Sequence, residues 1–321
     1  MYKPADARSH VRAPATIANL GPGFDCMGLA LNGLADEVQA RWSGSQETVL
    51  ESIDGVDAEV LPRDVKRNCA SVAAIEALRL AGEERGVALR LRKGFRSGSG
   101  LGSSSASSVA GAMAVHRLLG DALSEEDLLR ASLCGERVAS GSAHPDNVAP
   151  ALFGGLVLVR STDPLDWIRV DVPESAYFAI ILPHRQVRTE EARRILPETV
   201  PLTSVIENCR NAASLVLAVA RGDLQLWGRS TRDCIIEPAR APLLPGLEEA
   251  RQAALQAGAL GFSVSGSGPA LFALCDDPEV ALRVSKSIGE IFRLRGDQFD
   301  THVLRADNHG ALGFRYDRED N

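Results

Sequence analysis

The spacing of apolar positions divides the chain into short runs of two kinds. Val87 to Leu91, Leu156 to Val159, Phe178 to Leu182 and Phe272 to Leu274 are brief and apolar or alternating, and they predict strands. Val72 to Leu80, Val109 to Leu119 and Asp127 to Val138 repeat their apolar residues at three- and four-residue intervals and predict helices. The two kinds are intermixed, which gives an α+β protein without an internal repeat. The periodicity breaks at the charged, proline-bearing stretch Ser161 to Pro173, so a domain boundary is expected there, with domains at 1–165 and 166–321.

One predicted helix begins unusually. The string Gly98 to Ser108, GSGLGSSSASS, opens as a loop and runs into a helix that Gly120 stops. Such a junction presents unpaired backbone N–H groups and the positive end of a helix dipole, which together favour an anion. Two readings fit the segment: a phosphate cradle formed by Gly98, Ser99, Gly100, Leu101, Gly102, Ser103, Ser104 and Ser105, or an ordinary connection with Ser103 as N-cap. A Walker loop is excluded because no Gly-Lys dipeptide occurs, and GxGxxG fails at Ser103.

Composition narrows the partners. The length of 321 residues suits two domains, and a formal charge of −7 disfavours a dedicated nucleic-acid binder. The six cysteines form no CxxC pair, which disfavours a zinc site or a disulfide framework. No apolar run approaches the ~18 residues of a membrane span, and Met1 to His10 lacks an apolar signal region, so a cytoplasmic protein is expected.

Several polar residues stand where chemistry would need them. Glu136 follows Leu129 and Leu133 on the apolar face of a helix that Ser124 caps, so its carboxylate must be paired, protonated or metal-bound. Asn19 and Asp25 share a loop with Gly21, Pro22 and Gly23, where short polar side chains bond the local backbone or face a ligand. Thr189 caps a short helix that carries Arg193 and ends before Pro197.

The loop string GLGSSSAS resembles the ATP-binding motif of the GHMP kinases. Pro14 to Leu31, PATIANLGPGFDCMGLAL, resembles the substrate motif of that superfamily, and Gly261 to Leu274, GFSVSGSGPALFAL, resembles its third motif. His144 to Leu156, HPDNVAPALFGGL, is similar to the homoserine-phosphorylating branch in particular. The resemblance implies a two-lobed fold, with an N-terminal nucleotide-binding lobe and a ferredoxin-like C-terminal lobe. It implies ATP as donor, Mg²⁺ held by Glu136 and Ser104, L-homoserine as acceptor, and a homodimer.

By the same resemblance Asn19, Asp25, His144, Asn147, Thr189, Arg193 and Arg240 contact the acceptor, the two arginines taking its carboxylate. Asp146 is the candidate general base, while Asn147 alone could orient the hydroxyl in a reaction that runs largely on positioning. Asn68 matches an adenine-contacting position, with N-capping as its other explanation, and Lys93 is a phosphate candidate. Two departures from the family pattern stand out: Ile17 replaces a small hydroxyl residue, and Arg96 replaces a proline and could add positive charge beside the triphosphate. The residues also admit a kinase for another hydroxylated acid or amino alcohol, or a catalytically silent nucleotide binder.

Overall fold

A computed structural model describes residues 7–315 apart from Gln186 and Arg188, and leaves the side chains of Ser140 and Thr189 undescribed. The first half contains β1 (Arg8–Ala18), β2 (Met27–Trp42), β3 (Val49–Gly55), α1 (Cys69–Leu80), β4 (Val87–Lys93), α2 (Ser103–Leu118), α3 (Glu125–Ser140), α4 (Pro145–Phe153), β5 (Leu156–Thr162) and β6 (Leu165–Val170). The second contains β7 (Tyr177–Pro183), α5 (Thr189–Arg194), α6 (Leu202–Arg221), α7 (Leu224–Ser230), α8 (Ile236–Arg240), a 3₁₀ turn (Ala241–Leu243), α9 (Leu247–Gln256), β8 (Gly261–Val264), β9 (Leu271–Cys275), α10 (Pro278–Leu294), β10 (Phe299–Arg305) and α11 (Gly310–Gly313).

The strands form two sheets. The larger runs β3-β4-β2-β5-β6 with β1 also on β2, and only its β3–β4 pair is parallel. The smaller is antiparallel in the order β10-β7-β9-β8, and its four strands follow the βαββαβ pattern of a ferredoxin-like lobe. Phe178, Ile180, Phe272 and Leu274 on one face of this sheet join the core of the first lobe, while Ala179, Ile181, Ala273 and Cys275 on the other pack under α9 and α10. That two-residue alternation lets one sheet serve two cores, so the lobes share a continuous interior.

Helix α2 is the axis of the first lobe. It is almost wholly buried, and its Ser, Ala and Gly residues let neighbouring helices approach closely. A Cβ on Gly111 would lie 2.1 Å from the Ala70 carbonyl oxygen of α1, a contact no side chain tolerates. At the far end of α2 the chain stops at Gly120, whose φ of +80° lies in the left-handed region.

The stretch Ser161 to Pro173 holds the end of β5 and all of β6, an edge hairpin of the larger sheet, and the change of sheet falls between Val170 and Tyr177, within about ten residues of the division at 165/166. The chain also returns after β10: Ala306 bridges Leu31, Asp307 exchanges backbone bonds with Ala30 and Gly155, and α11 packs on α4.

Candidate active site

A cleft of about 710 Å³ opens between the lobes, lined by the start of α2, the end of α3, the start of α4, the Asn19–Asp25 loop and the arginines of α5 and α8. At its centre the Gly-rich loop is held from both sides. Thr16 N donates to the Leu101 carbonyl, Ser265 Oγ donates to the Gly100 carbonyl at 2.6 Å, and Ala270 N donates to the Ser99 carbonyl. The third motif thus grips the loop. Leu101 contributes only backbone, because its side chain is buried in the core.

The N-cap of α2 is Gly102, not Ser103, and no side chain bonds the first-turn N–H groups. Gly102 has a φ of +69°, and a Cβ there would meet Thr16 Oγ1 at 2.2 Å and Asn147 Oδ1 at 2.8 Å. A left-handed, crowded position requires glycine. A glycine N-cap forfeits only a few tenths of a kcal/mol, and it leaves these donors for an anion.

Behind the helix start, Lys93 Nζ pairs with Asp36 and donates to Ser103 O at 3.1 Å, Ser103 Oγ at 2.6 Å and Ser107 Oγ at 2.8 Å. Lys93 therefore braces the loop from below, its three protons shared among these four acceptors. Asn68 is likewise a cap: its Oδ1 accepts from Ala70 N and Ser71 N, and its Nδ2 donates to the Pro62 carbonyl. Its amide is committed to the fold, and Leu61, Pro62 and Leu91 line that end of the cleft. Arg96 turns outward toward Asp57 and Asp300 and does not line the cleft.

Glu136 is 2 % exposed, and Ser105 and His144 are among the partners of its buried carboxylate. Ser105 Oγ donates to its Oε2, and His144 Nδ1 lies 3.0 Å from its Oε1. Burial alone would lower the His144 pKa, but the hydrogen bond and charge of Glu136 outweigh it and raise it. His144 also contacts Ser142 Oγ, so it holds Glu136 while it lines the cleft. Ser104 lies at the mouth of the same turn, and its hydroxyl bonds no described residue. A buried carboxylate and a serine hydroxyl lining one cleft are hard-oxygen donors that suit Mg²⁺, which takes few protein ligands and completes its shell with phosphate and water.

At the other end of the cleft the polar groups are less committed. Asp146 is 3 % exposed, and its buried Oδ1 has no hydrogen-bond partner. Burial, with the charge of Asp25 adding to it, pushes this carboxyl up to about 7, against the opposing charge of His144. Asn147 Oδ1 accepts from Thr16 Oγ1 at 2.8 Å, and no described residue accepts from its Nδ2. Ile17, which replaces a hydroxyl residue, has its side chain fully buried in the core.

Arg240 is 4 % exposed and donates to the carbonyls of Ala192 and Gly266, with no carboxylate in ion-pair range among the described residues. Burial and then the nearby Arg193 charge lower its pKa. Arg193 makes a bidentate pair with Asp25 at 2.8 and 2.9 Å, yet its Nε has no partner. Both guanidinium groups sit near the Phe24 ring, a contact the sequence did not suggest. Asn19 lines the cleft with φ +69°, accepts from Asp25 N and donates to the Gly266 carbonyl, so it pins the loop to the second lobe. The side chain of Thr189 lies outside what is described. Asp36, Thr16 and Phe24 escaped sequence reasoning, because their roles arise from strand pairings and lobe contacts remote in the chain.

Comparison with known proteins agrees with this geometry. Models of the GHMP kinases N terminal domain and the GHMP kinases C terminal domain match residues 68–155 and 215–294. The chain belongs to the GHMP kinase family, ATP-dependent kinases that phosphorylate alcohol groups of small molecules. Within that family its full-length similarity is to homoserine kinases. It is 45 % identical to the homoserine kinase of Thermococcus gammatolerans over 304 residues, covering 95 % of this chain and 99 % of that one. It is 47 % identical to that of Pyrococcus abyssi, covering 94 % and 95 %. The crystal structure of homoserine kinase from Cytophaga hutchinsonii superposes with a TM-score of 0.91 at 41 % identity, covering 97 % and 98 %. A mevalonate kinase from L. major in complex with R-mevalonate shares the fold, with a TM-score of 0.70 at 16 % identity over 95 % and 99 % of the two chains.

Proposed function

We propose that the protein transfers the γ-phosphoryl group of ATP to the side-chain hydroxyl of L-homoserine, giving ADP and O-phospho-L-homoserine for threonine biosynthesis. One observation carries the reading beyond nucleotide use: the cleft that receives the start of α2 also holds the unpartnered Asp146 Oδ1, a carboxylate oxygen near neutrality. A base with that pKa takes a hydroxyl proton at working pH. Asn147 Nδ2 orients the hydroxyl, and the first-turn N–H groups of α2 stabilise charge on the transferring phosphoryl. Held by Glu136 and Ser104, Mg²⁺ would neutralise phosphate charge.

Arg240 and Arg193 take the acceptor carboxylate, and Asp25 takes its ammonium. In the ligand-free cleft Asp25 and Arg193 neutralise each other; a zwitterion exchanges each partner for one of its own charges. The reading includes a homodimer, supported by the apolar stripe Leu202, Ile206 and Leu217 exposed on α6, and cytoplasmic residence, supported by six free cysteines. Among the described residues no helix is long and apolar enough to cross a membrane. A coupled ADP-release assay with homoserine, threonine, serine and mevalonate tests the assignment. Turnover is expected with homoserine above all the others; equal or better turnover of another acceptor would refute it.

A further inference from the structure

Asp36 lies in β2, outside every motif and far in sequence from the phosphate loop, yet its side chain is fully buried beneath that loop. Its Oδ1 accepts from Gly94 N at 3.0 Å, and its Oδ2 accepts from Ser107 Oγ at 2.6 Å and pairs with Lys93. Lys93 in turn reaches the carbonyl and hydroxyl of Ser103, the first residue of α2. A buried ion pair is costly to desolvate and is offset only by complete hydrogen bonding, a condition that Asp36, Lys93, Ser103 and Ser107 satisfy together. Neither charge is left for a ligand. The network joins β2, the end of β4 and two successive points on α2, and it does so at the helix start that lacks any side-chain cap.

We infer that Asp36, acting through Lys93, is a positioning residue that fixes the uncapped start of α2 and thereby sets affinity for the phosphates of the nucleotide. This rests on the nucleotide side of the proposed function and not on the acceptor. The brace holds Ser103 and Ser107 from the interior and bonds none of the first-turn N–H groups, so those donors stay open to the cleft.

The test uses the full chain with Asp36→Asn and with the double variant Asp36→Asn/Lys93→Met, which leaves no charge unpaired if the single variant does not fold. ADP affinity is read by calorimetry, and Michaelis constants for ATP and homoserine are read separately. In whichever variant folds, ADP dissociation and the ATP constant are expected to rise roughly tenfold, with the homoserine constant within about twofold. An ADP affinity within about twofold of the parent, or a parallel rise in both Michaelis constants, would overturn the inference. If the parent binds ADP but does not turn over homoserine, the acceptor assignment fails while ADP affinity still decides the brace.

Discussion

The two ends of the cleft differ in how far their polar groups are already committed. At the nucleotide end Lys93, Asn68 and His144, which line the cleft beside Glu136 and the loop, are already bonded within the protein, as is Asp36 behind them. At the acceptor end, among the described residues, Asp146 Oδ1 and Arg193 Nε have no hydrogen-bond partner and Arg240 has no carboxylate in ion-pair range. The nucleotide end is prepared by internal bonds that persist without ligand, whereas the acceptor end stays electrostatically incomplete until a charged ligand arrives. Recognition of a triphosphate needs aligned N–H groups, which side chains support from behind. Recognition of an amino acid needs side-chain charges themselves.

The comparison breaks most readily at Asp146. Asp146→Asn is expected to lower kcat about 10²- to 10⁴-fold, the usual worth of a general base, in a steady-state assay. In the parent, kcat/KM is expected to climb with pH through about 7, because the base must be ionised, and the variant should lose that limb. Stability runs the other way. A carboxyl whose folded pKa is raised holds its proton better folded than unfolded, so its contribution falls as pH rises from the ordinary aspartate value to about 7. Thermal unfolding of Asp146→Asn should show a flatter pH dependence. A residual activity near that of the parent would leave Asn147 and positioning to carry the chemistry.

Next in size is Glu136→Ala, for which turnover at saturating ATP is expected to fall about 10²- to 10³-fold, as when one preorganised electrostatic contact is lost. Near-normal turnover would remove both the Mg²⁺ role and the significance of its contact with Ser105. Arg240→Leu should raise the homoserine Michaelis constant about 10- to 100-fold, the loss of a charge-assisted bond, while the ATP constant stays put. An ATP constant that rises instead would move Arg240 to the nucleotide end. The smallest effect sharpens the contrast: Asn68→Ala should cost about 1 kcal/mol of stability as a lost cap, read by denaturant unfolding, with little change in the ATP constant.

The sequence made much of this legible where the signal is local. The periodicity of Asp127 to Val138 marked α3, Ser124 is its N-cap within a capping box, and Glu136 falls on the buried face beside Leu129 and Leu133. The loop-to-helix junction at Gly98 to Ser108 was equally plain, but not its cap: only the φ of Gly102 and the close Thr16 and Asn147 contacts show why glycine holds that place. Lys93 looked like a phosphate ligand because a basic residue precedes the loop, and its partner Asp36 lies 57 residues away. Asp25 and Arg193, 168 residues apart, meet only when the second lobe packs on the first. Such pairings belong to the topology, and no local pattern encodes them.

The central claim is that the acceptor end is completed by a zwitterion. Its most direct test compares kcat/KM for L-homoserine with that for 4-hydroxybutanoate, which lacks the ammonium, and 3-aminopropan-1-ol, which lacks the carboxylate. Each omission should cost at least roughly tenfold, since each strands a charged group of the cleft. Comparable kcat/KM for all three would contradict the account.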